Sequence, residues 1–204
     1  FAYVADGLLQ PGEEAPAHQP QLLPGQVKLK NINGDDKLNE EDMVLIGRND
    51  PKFIFGFNNN FSYKNFDLNI YMYGQVGKIA GANSYYDAWG SYGNRIKLGQ
   101  NVPVSFKDAW SSDNQTSTRP SFIESAYGTG DLFLQKISFL RIRNITLGYT
   151  VPISKSICNR LRVYADINNP CVWTNWKGQD PETDSNTNAY PNVTSFSIGV
   201  DISF

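Results

Sequence analysis

The chain has 204 residues, and its 18 basic and 20 acidic side chains give a formal net charge of −2. This near-neutral balance argues against a nucleic-acid-binding protein, which would show a basic face. Aromatic residues make up 13% of the chain and charged residues 19%, a composition that is atypical of a disordered segment. No run of about 18 apolar residues occurs, which argues against a transmembrane helix but leaves a membrane β-barrel open.

The first strong pattern along the chain is a hydrophobic period of two, which predicts strands with one apolar face. It runs through residues 53–61, is interrupted by a turn at Ser62 to Asn65, and returns in residues 66–73. The opposite face of both segments is polar or rich in tyrosine. The sequence therefore predicts a β-hairpin, whose apolar members are Phe53, Phe55, Phe57, Phe61, Phe66, Leu68, Ile70 and Met72.

Three further alternating segments follow a long stretch without a sustained period. Residues 75–136 are rich in Gly, Ser, Asn and aromatics and predict a long loop, which is uncommon in a compact soluble domain. Strands are predicted over 137–149, over 161–168 and, after a second loop over 170–191, over 194–204. The last strand is the most regular, with one parity formed by Thr194, Phe196, Ile198, Val200, Ile202 and Phe204.

The apolar strand faces fit two folds, a membrane barrel whose outer face meets lipid and a β-sandwich whose inner faces meet each other. The opposite face carries small Ser, Gly and Asn side chains, which favour a barrel lumen over open solvent. We therefore predict an all-β fold, an antiparallel transmembrane β-barrel with long extracellular loops. Five strands cannot close a barrel, because about eight is the working minimum, so we expect the carboxyl-terminal part of a larger barrel.

Alternating long and short connections predict how the chain is laid out across the membrane. We expect residues 1–52 to form an extracellular region that leads into the barrel. Residues 53–204 would then form the carboxyl-terminal strands, with extracellular loops over 75–136 and 170–191. Arg141 and Arg143 share the parity of the apolar face, and an arginine facing lipid at mid-depth costs about 2–4 kcal/mol. This part of the third strand should therefore project beyond the bilayer.

Several sequence blocks occur in an order that points to one family. They are Pro24-Gly25, Asn31-Ile-Asn-Gly-Asp-Asp-Lys-Leu, Ile46-Gly47, Asn49-Asp-Pro-Lys-Phe, Gly56-Phe-Asn, Tyr63-Lys-Asn-Phe-Asp-Leu, Phe139-Leu-Arg-Ile-Arg-Asn-Ile-Thr-Leu-Gly-Tyr-Thr-Val-Pro, Leu161-Arg-Val-Tyr and Gly178-Gln-Asp-Pro-Glu. Together these blocks resemble the carboxyl-terminal region of SusC/RagA-type TonB-dependent outer-membrane transporters. The resemblance covers nearly the whole chain.

The resemblance implies a 22-stranded barrel with an amino-terminal plug in the outer membrane of a Gram-negative bacterium. It also implies a SusD-like surface lipoprotein as a lid, energy coupling through TonB, and import of oligosaccharides or peptides without covalent chemistry. The alternative from another functional class is a secreted β-sandwich that binds carbohydrate through surface tryptophans.

A calcium-loop spacing is the candidate metal site. Oxygen-bearing side chains at alternate positions can wrap a hard cation, and residues 31–42 supply them at positions 1, 3, 5, 9 and 12. These are Asn31, Asn33, Asp35, Asn39 and Asp42. The first position is usually Asp and the sixth Gly, whereas this chain has Asn31 and Asp36. The alternative is an Asn-Gly-Asp turn that is capped by its own side chains.

Loop aromatics are the candidate substrate-binding residues, because flat apolar rings complement the C–H faces of sugars. They are Tyr85, Tyr86, Trp89, Trp110, Trp173 and Trp176. The alternative is that these side chains pack the loops together or contact the lipoprotein partner.

Charged and reactive side chains suggest structural roles. Asp180, Glu182 and Asp184 could form a glycosidase-like carboxylate pair, but Asp-Pro-Glu fits a turn better. Pairing with loop carboxylates is expected for Arg119, Arg141 and Arg143. We expect His18 to be a solvated loop residue, and Cys158 and Cys171 to be free thiols.

Overall fold

The computed structural model describes residues 1–81, 98–99, 101, 104–122, 127–153, 158–178, 180–183 and 189–204. The strands in these residues are β1 (Ala5–Leu8), β2 (Val27–Leu29), β3 (Phe53–Tyr63), β4 (Phe66–Gly81), β5 (Leu134–Val151), β6 (Arg160–Thr174) and β7 (Ser195–Ser203). Two short 3-10 helices cover Glu40–Asp42 and Val104–Asp108. Among the described residues, no helix has the length and apolar character needed to cross a membrane.

The chain forms two compact units. The first, called the β1–β2 unit below, comprises Phe1–Arg48 and Gly81–Gln135, and the second, called the sheet unit, comprises Asn49–Ala80 and Lys136–Phe204. The sheet unit holds a five-stranded sheet in the order β3-β4-β5-β6-β7. The predicted all-β fold with an antiparallel sheet is confirmed, since β3–β4, β5–β6 and β6–β7 pair antiparallel.

The predicted hairpin turn is confirmed, but β4 and β6 extend well beyond the residues in which the period of two is visible. Tyr63 pairs with Phe66 across the turn, whose Lys64 has a positive φ of 54°. β4 continues to Gly81 and β6 to Thr174, whereas their alternating patterns end earlier. Residues 74–81 contain three glycines and show no period of two. At Asn169 (φ 49°) a register shift interrupts the alternation of β6 without ending the strand.

Many apolar side chains of the sheet are exposed, although Ile137 and Phe139 of β5 are buried. Phe196 keeps 75% of its surface exposed and Ile198 keeps 83%, and Phe53, Phe57, Phe61 and Leu147 are exposed in the same way. A β-sandwich would bury these side chains beneath an opposing sheet. No such sheet covers them in the part of the chain that the structure describes, so the sandwich alternative is wrong for this fold.

The polar face of the sheet is cross-linked by side-chain hydrogen bonds. The Asn69 amide donates to the side-chain oxygens of Asn58 (2.7 Å) and Asn60 (2.6 Å). Further along the sheet, Arg162 donates to Asp67 at 2.6 and 3.0 Å and to Asp201 at 3.0 Å, which links β4, β6 and β7.

Gly148 leaves the space for this ion pair. A Cβ at Gly148 would lie 2.5 Å from both Arg162 Nη2 and Asp67 Oδ1, so a side chain here would displace the Arg162–Asp67 contact.

The β1–β2 unit has a small apolar core of Leu8, Val27 and Leu29. The Gln19 side chain is fully buried beside it. Its amide group takes the place of a neighbouring strand, because Oε1 accepts from Leu29 N–H (2.7 Å) and Nε2 donates to the Val27 carbonyl (3.4 Å). His18 is partly buried and donates from Nε2 to the Leu29 carbonyl (2.8 Å). The prediction of a solvated His18 was therefore wrong, because its ring is hydrogen-bonded to the backbone of β2.

Candidate functional site

A buried ion cluster joins β5 to the connection between β6 and β7. Arg141 Nη2 donates to Asp180 Oδ1 at 2.7 Å, and Arg141 Nε contacts Glu182 Oε1. Both Arg141 and Asp180 are almost completely buried. The predicted pairing of Arg141 and Arg143 with loop carboxylates is confirmed, since Arg143 Nη1 lies 3.6 Å from Glu182 Oε2.

Asp180 organises the connection through both carboxylate oxygens. Oδ1 also accepts from Glu182 N–H (2.9 Å), and Oδ2 accepts from the Asn192 backbone N–H (3.0 Å) and amide (3.3 Å). Burial alone would raise the pKa of Asp180, but the backbone hydrogen bonds from Glu182 and Asn192 and the charge of Arg141 lower it overall.

This environment does not fit acid catalysis by Asp180. A glycosidase needs one carboxylic acid with a raised pKa, whereas the pKa of Asp180 is lowered. The buried contacts fit a fixed turn, as the Asp-Pro-Glu segment predicted. Asp184 lies outside the described residues.

Next to the cluster, an aromatic and cationic surface forms on the sheet, which we call the Tyr–Arg patch and define as Tyr71, Tyr73 and Arg143. The Tyr71 and Tyr73 rings stack with a centroid separation of 6.5 Å and an interplanar angle of 14°. The Arg143 guanidinium carbon lies 5.9 Å from the Tyr73 ring centroid, within cation–π range. Arg143 Nη1 also donates to the side-chain oxygens of Asn169 (3.2 Å) and Asn192 (3.1 Å).

The period-two pattern did not predict this patch. It placed Tyr71 and Tyr73 on the polar face of a strand but did not bring Arg143 to them. The signal that was available is the pair of tyrosines two residues apart on that face. The contact with Arg143 depends on the order of β4 and β5 in the sheet, which a local pattern does not encode.

The predicted loop aromatics have different surroundings. Tyr85, Tyr86 and Trp89 lie outside the described residues. Trp110 packs against the core of the β1–β2 unit, and its ring lies so close to Gly25 that a Cβ there would be 2.2 Å from it. These contacts support the packing role for Trp110, and binding of substrate by it stays a prediction.

Trp173 and Trp176, three residues apart along the chain, differ in exposure. Trp173 is exposed at the end of β6, whereas only 6% of the Trp176 surface is exposed. A ring that is buried in this way offers no face to a sugar, so the loop-packing role fits Trp176. Substrate contact by Trp173 stays a prediction.

The side chains of the predicted calcium loop cap turns within the loop itself, the arrangement that the alternative describes. Asn31 Oδ1 accepts from Gly34 N–H (2.7 Å), Asn33 Oδ1 from Asp35 N–H (3.0 Å) and Asp35 Oδ1 from Lys37 N–H (2.9 Å). Each is an Asx-type contact that stabilises a turn without a ligand.

Asp42 closes this loop from its far end. Its carboxylate accepts from the backbone N–H groups of Ile32 (2.7 Å), Asn33 (3.4 Å) and Asn39 (3.0 Å). The Asn39 hydrogen bond is the main reason that the pKa of Asp42 is lowered, although burial opposes it. Among the described residues, no three His, Cys, Asp or Glu side chains group as metal ligands. Calcium binding by Asn31, Asn33, Asp35 and Asp42 stays a prediction.

Comparison with known proteins identifies relatives along most of the chain, although no family model matches it. TonB-dependent receptor P3 of Formosa agariphila is 28% identical over 201 residues, which cover 89% of this chain and 19% of that protein. TonB-dependent receptor SusC of Bacteroides thetaiotaomicron is 26% identical over 180 residues, which cover 84% of this chain and 17% of that protein. The chain thus spans about a fifth of the length of these relatives.

Solved structures give the same result for the fold. The whole chain superimposes on 22% of a chain of the RagAB peptide transporter, with a TM-score of 0.72 and 22% identity. It also superimposes on the RagAB peptide importer in the open-open state, with a TM-score of 0.71 and 21% identity. The predicted resemblance to SusC/RagA-type TonB-dependent proteins is confirmed. The five-stranded sheet therefore has the fold of one part of a RagA-type barrel wall.

Proposed function

We propose that this chain forms part of the barrel wall of a TonB-dependent nutrient importer in the outer membrane of a Gram-negative bacterium. The exposed apolar face of the sheet is the observation that carries the proposal. An apolar surface of this extent on a soluble protein would be a large patch that requires a cover. Outer-membrane lipid provides that cover in a barrel, whose outer face is apolar and whose inner face is polar.

The polar face of the sheet supports the same arrangement. It carries the asparagine ladder of β3 and β4 and the ion pairs of Arg162. In a barrel this face lines the lumen, where water, substrate or a plug can satisfy its remaining polar groups. The two faces together match the alternation that a wide barrel requires.

The relatives support the partners and the substrate class. One of them is named SusC, and the solved neighbours are described as a peptide importer and transporter, RagAB. We propose that the whole protein works with a SusD-like lipoprotein on the cell surface, and that TonB supplies the energy. The substrates would be oligosaccharides or peptides, taken up without covalent chemistry. The pairing of Asp180 and Glu182 with Arg141 supports a transport role over hydrolysis.

The experiment uses the full-length protein in its native host. Deletion of the gene should abolish uptake of one oligosaccharide or peptide class, measured with labelled glycan and peptide pools. Uptake by the wild type should also stop when TonB is removed, and the protein should fractionate with the outer membrane and co-purify with a lipoprotein. Uptake that continues at the wild-type rate without TonB would contradict the proposal.

A further inference from the structure

The Tyr–Arg patch has a composition that the barrel wall itself does not require. Tyr71 and Tyr73 share the polar face of β4 with Asp67 and Asn69. A register shift between Ile142 and Asn144 brings Arg143, whose sequence parity is that of the apolar face, to the Tyr73 ring, so the patch faces the lumen in the proposed barrel. Structural cross-links on this face involve short polar side chains or the ion pairs of Arg162. By contrast, 40% of the Tyr71 surface and 42% of the Arg143 side-chain surface are exposed.

Arg143 is held by one end of its guanidinium group. Both hydrogens of Nη1 are used by the Asn169 and Asn192 oxygens, while Nε and Nη2 have no hydrogen-bond partner among the described residues. The Nε–Nη2 edge presents two parallel donors. This fork matches a carboxylate, which it can bind with two charge-assisted hydrogen bonds.

The charge of Arg143 is only partly offset by its surroundings. Glu182 directs one oxygen to Arg141 and the other to a point 3.6 Å from Arg143 Nη1, which is longer than a hydrogen bond. Asp180 is committed to Arg141 and to backbone donors. Arg143 is therefore the cation in this cluster that retains capacity for an added anion.

The two tyrosines supply the aromatic surface beside the Arg143 guanidinium group. Tyr73 supports the guanidinium from one side, and Tyr71 extends the aromatic surface in a nearly parallel plane. A ligand whose carboxylate binds Arg143 would place its neighbouring unit over Tyr71, where an apolar ring face or aliphatic segment can pack.

We propose that the Tyr–Arg patch binds a carboxylate-bearing oligomer on its way through the lumen. Arg143 donates Nε–H and Nη2–H to the carboxylate, and Tyr71 packs against the adjacent unit. Two sources carry this chemistry, an oligosaccharide that contains uronic acids and a peptide that contains acidic residues. The inference rests on the proposed importer function and narrows its substrate class.

The test measures binding to the purified full-length importer with its lipoprotein partner. The probes are tetragalacturonate and its fully methyl-esterified form, and the peptides acetyl-Gly-Glu-Glu-Gly-amide and acetyl-Gly-Gln-Gln-Gly-amide, whose blocked termini leave no other carboxylate, so that each acidic probe has a matched neutral one. One acidic probe should bind at least 10-fold more tightly than its neutral counterpart, and the pair that shows the difference identifies the source. Arg143→Gln should weaken that acidic probe by about 10- to 100-fold and leave the neutral one unchanged.

Further variants separate recognition from a structural role. Arg143→Lys keeps the charge but loses the fork, so it should give an intermediate affinity. Tyr71→Ala should weaken the acidic probe and its neutral counterpart alike, by about 3- to 10-fold. Arg48→Gln, at an exposed arginine of the β1–β2 unit, is the matched control and should change nothing.

Two results would overturn the inference. One is that neither acidic probe binds more tightly than its neutral counterpart, and the other is that Arg143→Gln weakens acidic and neutral probes equally. TonB-dependent uptake of labelled substrate in the same strains separates this failure from failure of the proposed function. If wild-type uptake depends on TonB while either overturning result is found, the importer stands and the carboxylate site is lost.

Discussion

The two units of the chain differ in how far they bury the apolar side chains of their strands. In the β1–β2 unit, Leu8, Val27 and Leu29 are buried together, as expected for apolar side chains that avoid water. In the sheet unit, Phe196 and Ile198 are largely exposed although they sit in the most regular strand. The difference indicates that the first unit is stabilised by a core that excludes water. The apolar face of the second unit is suited to contact with a non-aqueous medium.

A second difference between the units lies in how they use charge. The β1–β2 unit satisfies the buried carboxylate of Asp42 with backbone N–H groups. The sheet unit satisfies the buried carboxylate of Asp180 with a buried arginine as well. Removing a cation should therefore damage the sheet unit much more than the β1–β2 unit.

The largest expected effect is that of Arg141→Ala. The substitution leaves Asp180 buried without its cation, and removing one partner of a buried ion pair typically costs about 3–5 kcal/mol. Hydrogen exchange on the amides of residues 175–178, 180, 182 and 183 of the full-length protein should report a local opening free energy that is smaller by this amount. The exposed Arg48→Ala serves as control and should change it by less than about 0.5 kcal/mol. An equal, small effect of both variants would show that the ion cluster does not stabilise the connection between β6 and β7.

Leu29→Ala tests the aqueous core of the β1–β2 unit. Leu29 is 2% exposed, and truncating a buried leucine costs about 2–5 kcal/mol because it loses burial and leaves a cavity. Exchange of the amides in β1 and β2 measures the loss. Leu45→Ala, at an exposed leucine of the same unit, should have little effect. If the two substitutions cost the same, Leu8, Val27 and Leu29 do not form a true core.

Ile198→Arg tests the apolar face of the sheet. If this face meets lipid, an arginine near mid-depth should lower the free energy of unfolding by about 2–4 kcal/mol. Denaturant unfolding of the full-length protein from lipid vesicles provides the measurement. The matched control is Ser197→Arg, on the neighbouring residue and the opposite face, where the polar surroundings should make the cost smaller. The reverse order of the two costs would contradict the assignment of the faces.

The smallest effect concerns the acid sensitivity of the loop over residues 31–42. Because hydrogen bonds lower the pKa of Asp42 in the folded state, the unfolded chain takes up the proton first as the pH falls. The contribution of Asp42 to stability is thus complete above the unfolded pKa of about 3.9 and is lost as the pH falls below it.

Amide exchange rates of Ile32 and Asn39 provide the readout for this loop. After correction for intrinsic exchange, protection should be constant from pH 7 to about 5 and decrease below about pH 4. Asp42→Asn removes the titrating group and should remove this decrease. Protection in the wild type that remains unchanged down to pH 3 would rule out the role given to Asp42.

Local sequence patterns predicted the sheet well because strand periodicity is a local property. The parity of Phe196, Ile198 and Val200 was enough to assign their common face, and the pairing of Arg141 with loop carboxylates was also expected. The short strands β1 and β2 were missed, because four and three residues are too few to show a period. The last part of β4 was missed because residues 74–81, with three glycines, show no period of two.

The candidate site was harder to predict from the sequence, because its residues are far apart along the chain and come into contact only when the strands pair. Asp180 reaches Arg141 from 39 positions away along the chain, and no local motif encodes that distance. Tyr73 meets Arg143 because β4 and β5 are neighbours in the sheet. Ring chemistry makes the loop tryptophans candidates for sugar binding, yet burial of Trp176 depends on packing that composition does not reveal.

The most direct test of the central claim is a spin-label scan of β7 in the full-length protein in lipid vesicles. Single cysteines would replace Ser195 through Asp201 in turn, in a background where Cys158 and Cys171 are serine. Accessibility to oxygen, which concentrates in lipid, should alternate with a period of two and peak at Phe196, Ile198 and Val200. If those three positions are shielded from both oxygen and a water-soluble relaxer, they pack against protein, and the barrel-wall account is contradicted.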